Sequence, residues 1–101
     1  MKHLAVAAAV ALMASAPAFA DQALAQAKGC MACHAVDKKV VGPSYKDVAK
    51  KYAGNMKAED LAKRIKLGGS GHWGPVPMPP QAALSEADAK TLATWILGGA
   101  K

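Results

Sequence analysis

Two cysteines and a histidine form the motif in this sequence whose spacing points to one specific covalent chemistry. Cys30 and Cys33 are separated by two residues, and His34 follows the second cysteine directly. In this arrangement each thiol can add to a vinyl group at the edge of a porphyrin, and the histidine is then held beneath the ring, where one nitrogen can bind iron. The motif therefore predicts one covalently attached haem c.

Three other kinds of site use two cysteines at this spacing: a thioredoxin-like redox pair, half of a zinc site and a plain disulfide. None of them requires a histidine at position 34. A zinc site would also need further ligands, and beyond residue 20 the chain has no other cysteine and one other histidine, His72. A thioredoxin-like domain would need a strand-helix-strand pattern, which the sequence lacks. Haem attachment is the interpretation that uses all three residues of the motif.

The amino-terminal segment has the features of a secretory signal peptide. A basic start precedes an apolar run over residues 4–13, and small residues around Ala20 form a cleavage site before Asp21. The run is too short to cross a bilayer, so the sequence predicts an exported protein without a membrane span, and an uncleaved leader is the alternative. We expect residues 1–20 to be removed and residues 21–101 to form one monohaem domain.

The mature chain is short, and this limits the apolar core that it can build from its own side chains. A covalently held macrocycle would supply apolar surface and crosslinks, so we expect folding to depend on the haem. The full chain has 13 lysine and arginine residues against 7 aspartate and glutamate residues, a formal net charge of +6. Nucleic acid is not an expected partner, because the protein is exported and no basic stretch is interleaved with aromatic residues.

Hydrophobic spacing predicts an all-α fold, because apolar residues recur with the period of an α-helix in four stretches. The last stretch also has Ser85 and Asp88 at capping-box-like spacing, and a pair of glycines follows it. No stretch alternates as a strand, and residues 68–81 are too rich in glycine and proline for regular structure. The helices are indicated by residues 21–28, by Tyr45, Val48, Ala49 and Tyr52, by Ala58, Leu61, Ala62 and Ile65, and by Ala89, Leu92, Ala93 and Ile96.

A methionine in the proline-rich stretch is the best candidate for a second iron ligand. Pro77 and Pro79 restrict the backbone on both sides of Met78. A soft methionine sulfur favours ferrous iron, so a histidine and methionine pair raises the reduction potential and suits electron transfer. Methionines more often fill gaps in cores. His72 is the rival ligand, but the glycines around it hold it less firmly.

Four blocks of the sequence resemble small bacterial class I c-type cytochromes, of the short monohaem type that shuttles electrons to periplasmic reductases and oxidases. The blocks are residues 28–34, 41–48, 64–66 and 73–80. The resemblance implies four or five short helices wrapped around one haem, with the amino-terminal and carboxy-terminal helices crossing. It also implies a location in the periplasm.

The resemblance further implies roles for three residues beside the motif and the methionine. The carbonyl of Pro43 is expected to accept a hydrogen bond from the ligand histidine, which sets its tautomer and orientation. Arg64 and Trp73 are expected to reach a haem propionate; the alternatives are a solvated helix charge and a packing residue. The sequence departs from the pattern of this family at two positions. Gln81 stands where relatives often carry an asparagine near the methionine sulfur. Ala25 replaces a bulky residue that is expected where the terminal helices cross, and this change would loosen the packing there.

These observations predict an electron carrier rather than an enzyme. The iron is expected to cycle between Fe(III) and Fe(II) while His34 and Met78 both remain bound. The competing class is a haem enzyme or gas sensor whose sixth ligand is absent or labile. We expect a monomer whose partners are periplasmic redox proteins, namely a reductase or oxidase and a cytochrome-containing donor.

Basic residues are concentrated in residues 28–66, a part of the chain that contains the attachment motif. Lysines on amphipathic helices are usually solvated, and we expect this of most lysines on the second and third helices. The lysines that flank the motif are instead predicted to form a basic haem-edge patch that steers the protein to an acidic partner surface. The solvated set is Lys50, Lys51, Lys57 and Lys63, and the docking set is Lys28, Lys38, Lys39 and Lys46.

Overall fold

The helices of the structure, a computed structural model that describes residues 20–101, match the predicted stretches. Residues 20–101 contain no strand, only two isolated β-bridges, so the all-α prediction is confirmed. Residues 1–19 of the predicted signal peptide lie outside the described residues, and its cleavage stays a prediction. The helices are α1 (Ala20–Ala27), a 3₁₀ helix (Cys30–Ala32), α2 (Tyr45–Tyr52), α3 (Ala58–Leu67) and α4 (Glu86–Leu97).

Serine caps define where α2 and α4 begin. The Ser44 hydroxyl accepts a hydrogen bond from the backbone N–H of Asp47 at 3.1 Å. The Ser85 hydroxyl accepts one from the backbone N–H of Asp88 at 3.0 Å. Each bond satisfies a donor that the first turn of a helix otherwise leaves free. The spacing of Ser85 and Asp88 in the sequence therefore predicted the correct start of α4.

The core forms where α4 packs across the other three α-helices. The apolar side of α4 is fully or almost fully buried, and it is the side that the helical spacing predicted. Ala25 of α1 is also fully buried in this cluster, so the loss of a bulky side chain at the helix crossing leaves no exposed position there. The buried residues of α4 are Ala89, Leu92, Ala93, Trp95 and Ile96.

The segment between α3 and α4 is irregular but ordered by its own backbone. Gly69 and Met78 exchange two hydrogen bonds, from the N–H of Gly69 at 2.9 Å and from the N–H of Met78 at 2.8 Å. Nearer the tip, the N–H of Gly71 donates to the carbonyl of Gly74 at 2.9 Å. We call residues 69–78 the methionine loop. Its base is closed by the Gly69–Met78 pair, and its tip carries His72 and Trp73.

Within residues 20–101 no helix combines the length and the apolar character that a membrane span requires.

Candidate cofactor site

A cavity of about 290 Å³ lies between the attachment motif, α2, α3, α4 and the methionine loop. The structure brings all the site residues that were singled out from the sequence to its wall: Cys30, Cys33, His34, Pro43, Arg64, Trp73 and Met78. The helices contribute an apolar lining to the same cavity, from Val48, Leu61, Leu92 and Ile96.

The His34 ring is held from three directions. Its Nδ1 lies 2.8 Å from the carbonyl oxygen of Pro43. Because a carbonyl can only accept, Nδ1 carries the proton and Nε2 keeps a free lone pair for a metal. The Tyr45 ring stacks on the imidazole with a centroid distance of 5.3 Å and an interplanar angle of 25°. On a third side, a Cβ at Gly42 would collide with the imidazole, so this position requires glycine.

The two cysteines flank a tight turn that follows α1. Gly29 has a φ of 79°, a left-handed conformation that favours glycine, and the 3₁₀ helix starts directly after it. The backbone N–H groups of Cys33 and His34 both donate to the carbonyl of Cys30, at 3.2 and 3.0 Å. Cys33 is exposed and Cys30 is half-buried, and both are free thiols. Burial raises the pKa of the Cys30 thiol above its ordinary value.

Tyr45 also has a buried hydroxyl, and this group has no hydrogen-bond partner among residues 20–101. Burial raises the pKa of this phenol, and the nearby Cys30 sulfur raises it further, so the group is neutral. The Trp95 ring packs edge-on against the Tyr45 ring at a centroid distance of 5.2 Å. The Tyr45 ring therefore lies between the Trp95 ring of the core and the His34 imidazole.

Met78 is half-buried, and the backbone around it is tightly constrained. Gly68 precedes the loop with a φ of 66°, and a Cβ there would collide with the Met78 carbonyl. Gln81 donates its backbone N–H to the carbonyl of Lys66 at 2.8 Å and its side-chain Nε2 to the carbonyl of Pro79 at 3.0 Å. The Gln81 amide therefore supports the backbone next to the methionine.

Arg64 and Trp73 both contact Tyr52 near the tip of the methionine loop. Arg64 donates a hydrogen bond to the Tyr52 hydroxyl at 3.0 Å, and its NH1 lies 3.4 Å from Nδ1 of His72. The Trp73 ring is 40% exposed and packs edge-on against Tyr52, with centroids 6.1 Å apart. His72 itself is exposed, as expected for a histidine among glycines.

Lys51 is exposed, as the sequence predicted for most lysines on these helices, but it also contacts the methionine loop. Its ammonium donates to the carbonyl of His72 at 3.0 Å and lies 4.5 Å from the centroid of the Trp73 ring. No sequence signal links position 51 to position 73. Helical periodicity shows which side of α2 is apolar, but it does not show what packs against the edge of that side.

The residues around the cavity fit a covalently attached haem. Two thiols lie beside an imidazole with a free Nε2, and a thioether lies in the same cavity. The lining between them is apolar, as a macrocycle requires, and a cation borders the cavity at Arg64.

Comparison with known proteins agrees with this reading of the site. The family model for cytochrome c matches residues 21–100. The chain is 52% identical to cytochrome c-551 of Allochromatium vinosum, over 87% of this chain and 95% of that protein. It is 62% identical to cytochrome c-552 of Hydrogenobacter thermophilus, over 78% of this chain and 81% of that protein. The crystal structure of wild-type cytochrome c552 of Nitrosomonas europaea superposes with a TM-score of 0.74, at 53% identity, covering 77% of this chain and 98% of that one.

The fold and the site define a small all-α monohaem protein of the c-type cytochrome class. The chain belongs to the cytochrome c family. It carries haem c covalently, and it is an electron carrier rather than an enzyme.

Proposed function

We propose that His34 and Met78 are the two axial ligands of the haem iron and that both stay bound in both oxidation states. The observation that carries this proposal is the 2.8 Å contact between Nδ1 of His34 and the Pro43 carbonyl, because it leaves the lone pair of Nε2 free to bind iron. Met78 lines the same cavity, and its backbone is paired with Gly69. Each ligand is therefore supported by its own part of the fold.

The bound haem supplies an iron that exchanges one electron between Fe(II) and Fe(III). The chain supplies rigidity: Pro43, Tyr45 and Gly42 hold the histidine, and the methionine loop holds the thioether. Fixed ligands leave little structural rearrangement between the two redox states, which suits rapid electron transfer. A retained methionine also leaves no open position for peroxide or a diatomic gas.

Arg64 and Trp73 are proposed to hold a haem propionate at the loop side of the cavity. Both line the cavity, and the Arg64 guanidinium is fixed by the Tyr52 hydroxyl at 3.0 Å. A guanidinium pairs well with a carboxylate, and an indole N–H is a donor only. The structure records no hydrogen bond from the Trp73 indole within residues 20–101, so its donor is available for this role.

The protein is proposed to work in the periplasm, as a monomer, between a cytochrome-containing donor and a reductase or oxidase. The predicted signal peptide supports export. The proposed docking surface is the basic haem-edge patch. Lys28 contributes less charge to it than expected, because its ammonium lies 3.7 Å from Asp88. Lys38, Lys39 and Lys46 are exposed and have no ion pair among the described residues, and Lys39 also lines the cavity, so these three remain the strongest members.

The ligand assignment is tested by substituting the methionine in the haem-bearing protein. Met78→Ala is expected to abolish the weak long-wavelength absorption band of a sulfur-to-iron bond and to allow cyanide or carbon monoxide binding. Met56→Ala is the matched control, because Met56 is also half-buried but lies outside the cavity wall. A spectrum that is unchanged in Met78→Ala but altered in His72→Ala would overturn the assignment.

A further inference from the structure

Two side chains of α2 contact the tip of the methionine loop: Tyr52 packs edge-on against Trp73, and Lys51 adds a hydrogen bond. The Lys51 ammonium donates to the carbonyl of His72 at 3.0 Å. Among residues 20–101 this is the only hydrogen bond between α2 and the methionine loop. The same ammonium lies 4.5 Å from the Trp73 ring centroid and 5.3 Å from the Tyr52 ring centroid. One cation therefore contacts the backbone and a side chain of the tip.

Two kinds of attraction act through this group at once. A charged donor makes a stronger hydrogen bond to a carbonyl than a neutral donor does. A cation over the face of an indole is attracted by the ring quadrupole, and tryptophan is the best aromatic partner for it. An ammonium has three N–H donors, so the bond to His72 does not prevent the contact with Trp73.

The rest of the loop is stiff enough to carry this constraint towards its base. Pro75 and Pro77 fix φ at two of the positions between Trp73 and Met78. The hydrogen bond from Gly71 to Gly74 closes the tip itself. Arg64 approaches the tip from α3, through the 3.4 Å contact with His72. A displacement of the tip therefore moves a short, restricted chain that ends at Met78.

We propose that Lys51 is a positioning residue that holds the methionine loop against α2 and thereby limits how often Met78 moves away from the cavity. The second part of this inference rests on the proposed role of Met78 as an iron ligand. The first part concerns only the loop and α2, and it is measurable whatever binds the iron.

The test compares Lys51→Met with Lys50→Met in the haem-bearing protein. Both substitutions remove one positive charge from the same turn of α2, and both keep an unbranched side chain of similar length. Lys50 is exposed, and its side chain makes no hydrogen bond or ion pair among residues 20–101, so it is a matched control for charge. Lys51→Arg keeps the charge and the donors and is the conservative variant.

The first measurement is hydrogen exchange of the Gly71 amide, observed by nuclear magnetic resonance in the reduced protein. Lys51→Met is expected to accelerate this exchange by about tenfold, because a charged hydrogen bond and a cation–π contact are lost together. Lys50→Met and Lys51→Arg are expected to stay within about twofold of the unsubstituted protein. The indole N–H of Trp95, which donates to the carbonyl of Lys101 at 3.3 Å, is the internal reference.

The second measurement is the rate of cyanide binding to the oxidised protein, which is expected to rise several-fold in Lys51→Met alone. Equal exchange rates of the Gly71 amide in Lys50→Met and Lys51→Met would overturn the proposal, because the contacts of Lys51 would then have no effect on the loop beyond that of its charge. Faster exchange with unchanged cyanide binding would overturn the link between the tip and Met78. If Met78→Ala had already shown another ligand, Gly71 exchange would still decide whether Lys51 holds the loop.

Discussion

The two walls of the cavity hold their proposed ligands by different physical means. The attachment wall, residues 29–45, fixes His34 by close packing: a stacked ring, a carbonyl and a glycine lie against the imidazole, and Ser44 and Tyr45 are buried behind it. In the methionine loop, every residue from 69 to 77 is exposed, and only Met78 is half-buried. The loop relies on backbone hydrogen bonds, prolines and two cations.

This difference follows from what each segment can bury. The attachment wall continues into α2, whose buried residues tie it to the core. The methionine loop lies between α3 and α4, but its own residues 69–77 are exposed, so burial contributes little to its order. Prolines reduce the conformational freedom that the unfolded loop would otherwise have, which favours the ordered form without burial. A ligand is thus held by packing on one side and by a restricted backbone on the other.

The largest expected effect comes from removing what joins the two walls. Cys30→Ala/Cys33→Ala, produced in the same compartment, should lack cooperative thermal melting by circular dichroism. The cavity lies between α2, α3 and α4, and a chain of this length has too few side chains to bury a large apolar surface without a group that fills the cavity. Native-like cooperative melting of the haem-free product would show that the chain folds without the macrocycle and would contradict this prediction.

The next largest effect tests the backbone constraint on the loop side. Gly68→Ala should lower the free energy of unfolding by about 2–3 kcal/mol, because the left-handed backbone is strained for alanine and the new Cβ meets the Met78 carbonyl. Gly54→Ala is the control: its φ is 84°, but no atom lies within 4 Å of an added Cβ. It should cost only about 1 kcal/mol. Equal losses of unfolding free energy in the two variants, measured by denaturant unfolding, would mean that a Cβ at position 68 does not collide with the Met78 carbonyl.

A smaller effect is expected on the rate of electron transfer, because the two walls of the cavity differ in charge. The methionine loop has no lysine, arginine, aspartate or glutamate, whereas the attachment side carries the basic haem-edge patch. Lys38→Glu/Lys46→Glu should slow stopped-flow electron transfer with an acidic partner by about tenfold at low salt, and the difference should shrink as salt rises.

The control for this experiment is Lys90→Glu/Lys101→Glu, which changes the net charge equally and should change the rate little. Lys90 and Lys101 lie outside residues 28–66, where the basic residues are concentrated, and Lys90 lies 3.5 Å from Glu59. Equal slowing by the two double variants would show that total charge, and not the patch, governs association.

The smallest effect compares one substitution at two tyrosines. Tyr45→Phe should leave the free energy of unfolding unchanged or raise it by up to about 1 kcal/mol, because the ring stack with His34 is kept and a buried, unpartnered hydroxyl is removed. Tyr52→Phe should lower it by about 1 kcal/mol, because the hydrogen bond from Arg64 is lost. A clear loss of stability in Tyr45→Phe would mean that its hydroxyl has a partner in the folded holoprotein.

The secondary structure and the kind of cofactor could be predicted from short stretches of the sequence. The spacing of Cys30, Cys33 and His34 predicts thioether attachment, and that cofactor is confirmed by the family relationship. The period of apolar residues predicts all four helices, and the predicted first helix, residues 21–28, differs from α1 by one residue at each end. These predictions succeed because a motif, a cap or a helical face is defined by residues within a few positions of one another.

The tertiary structure decided which distant residues meet. Tyr45 packs on His34, Arg64 reaches Tyr52, and Lys28 lies beside Asp88, although nothing in the sequence pairs them. Lys51 and Lys50 are neighbours of the same type, yet only Lys51 contacts the methionine loop. The physical reason is that periodicity specifies which side of a helix is buried, whereas the packing angle and the path of each loop decide what lies against its edges.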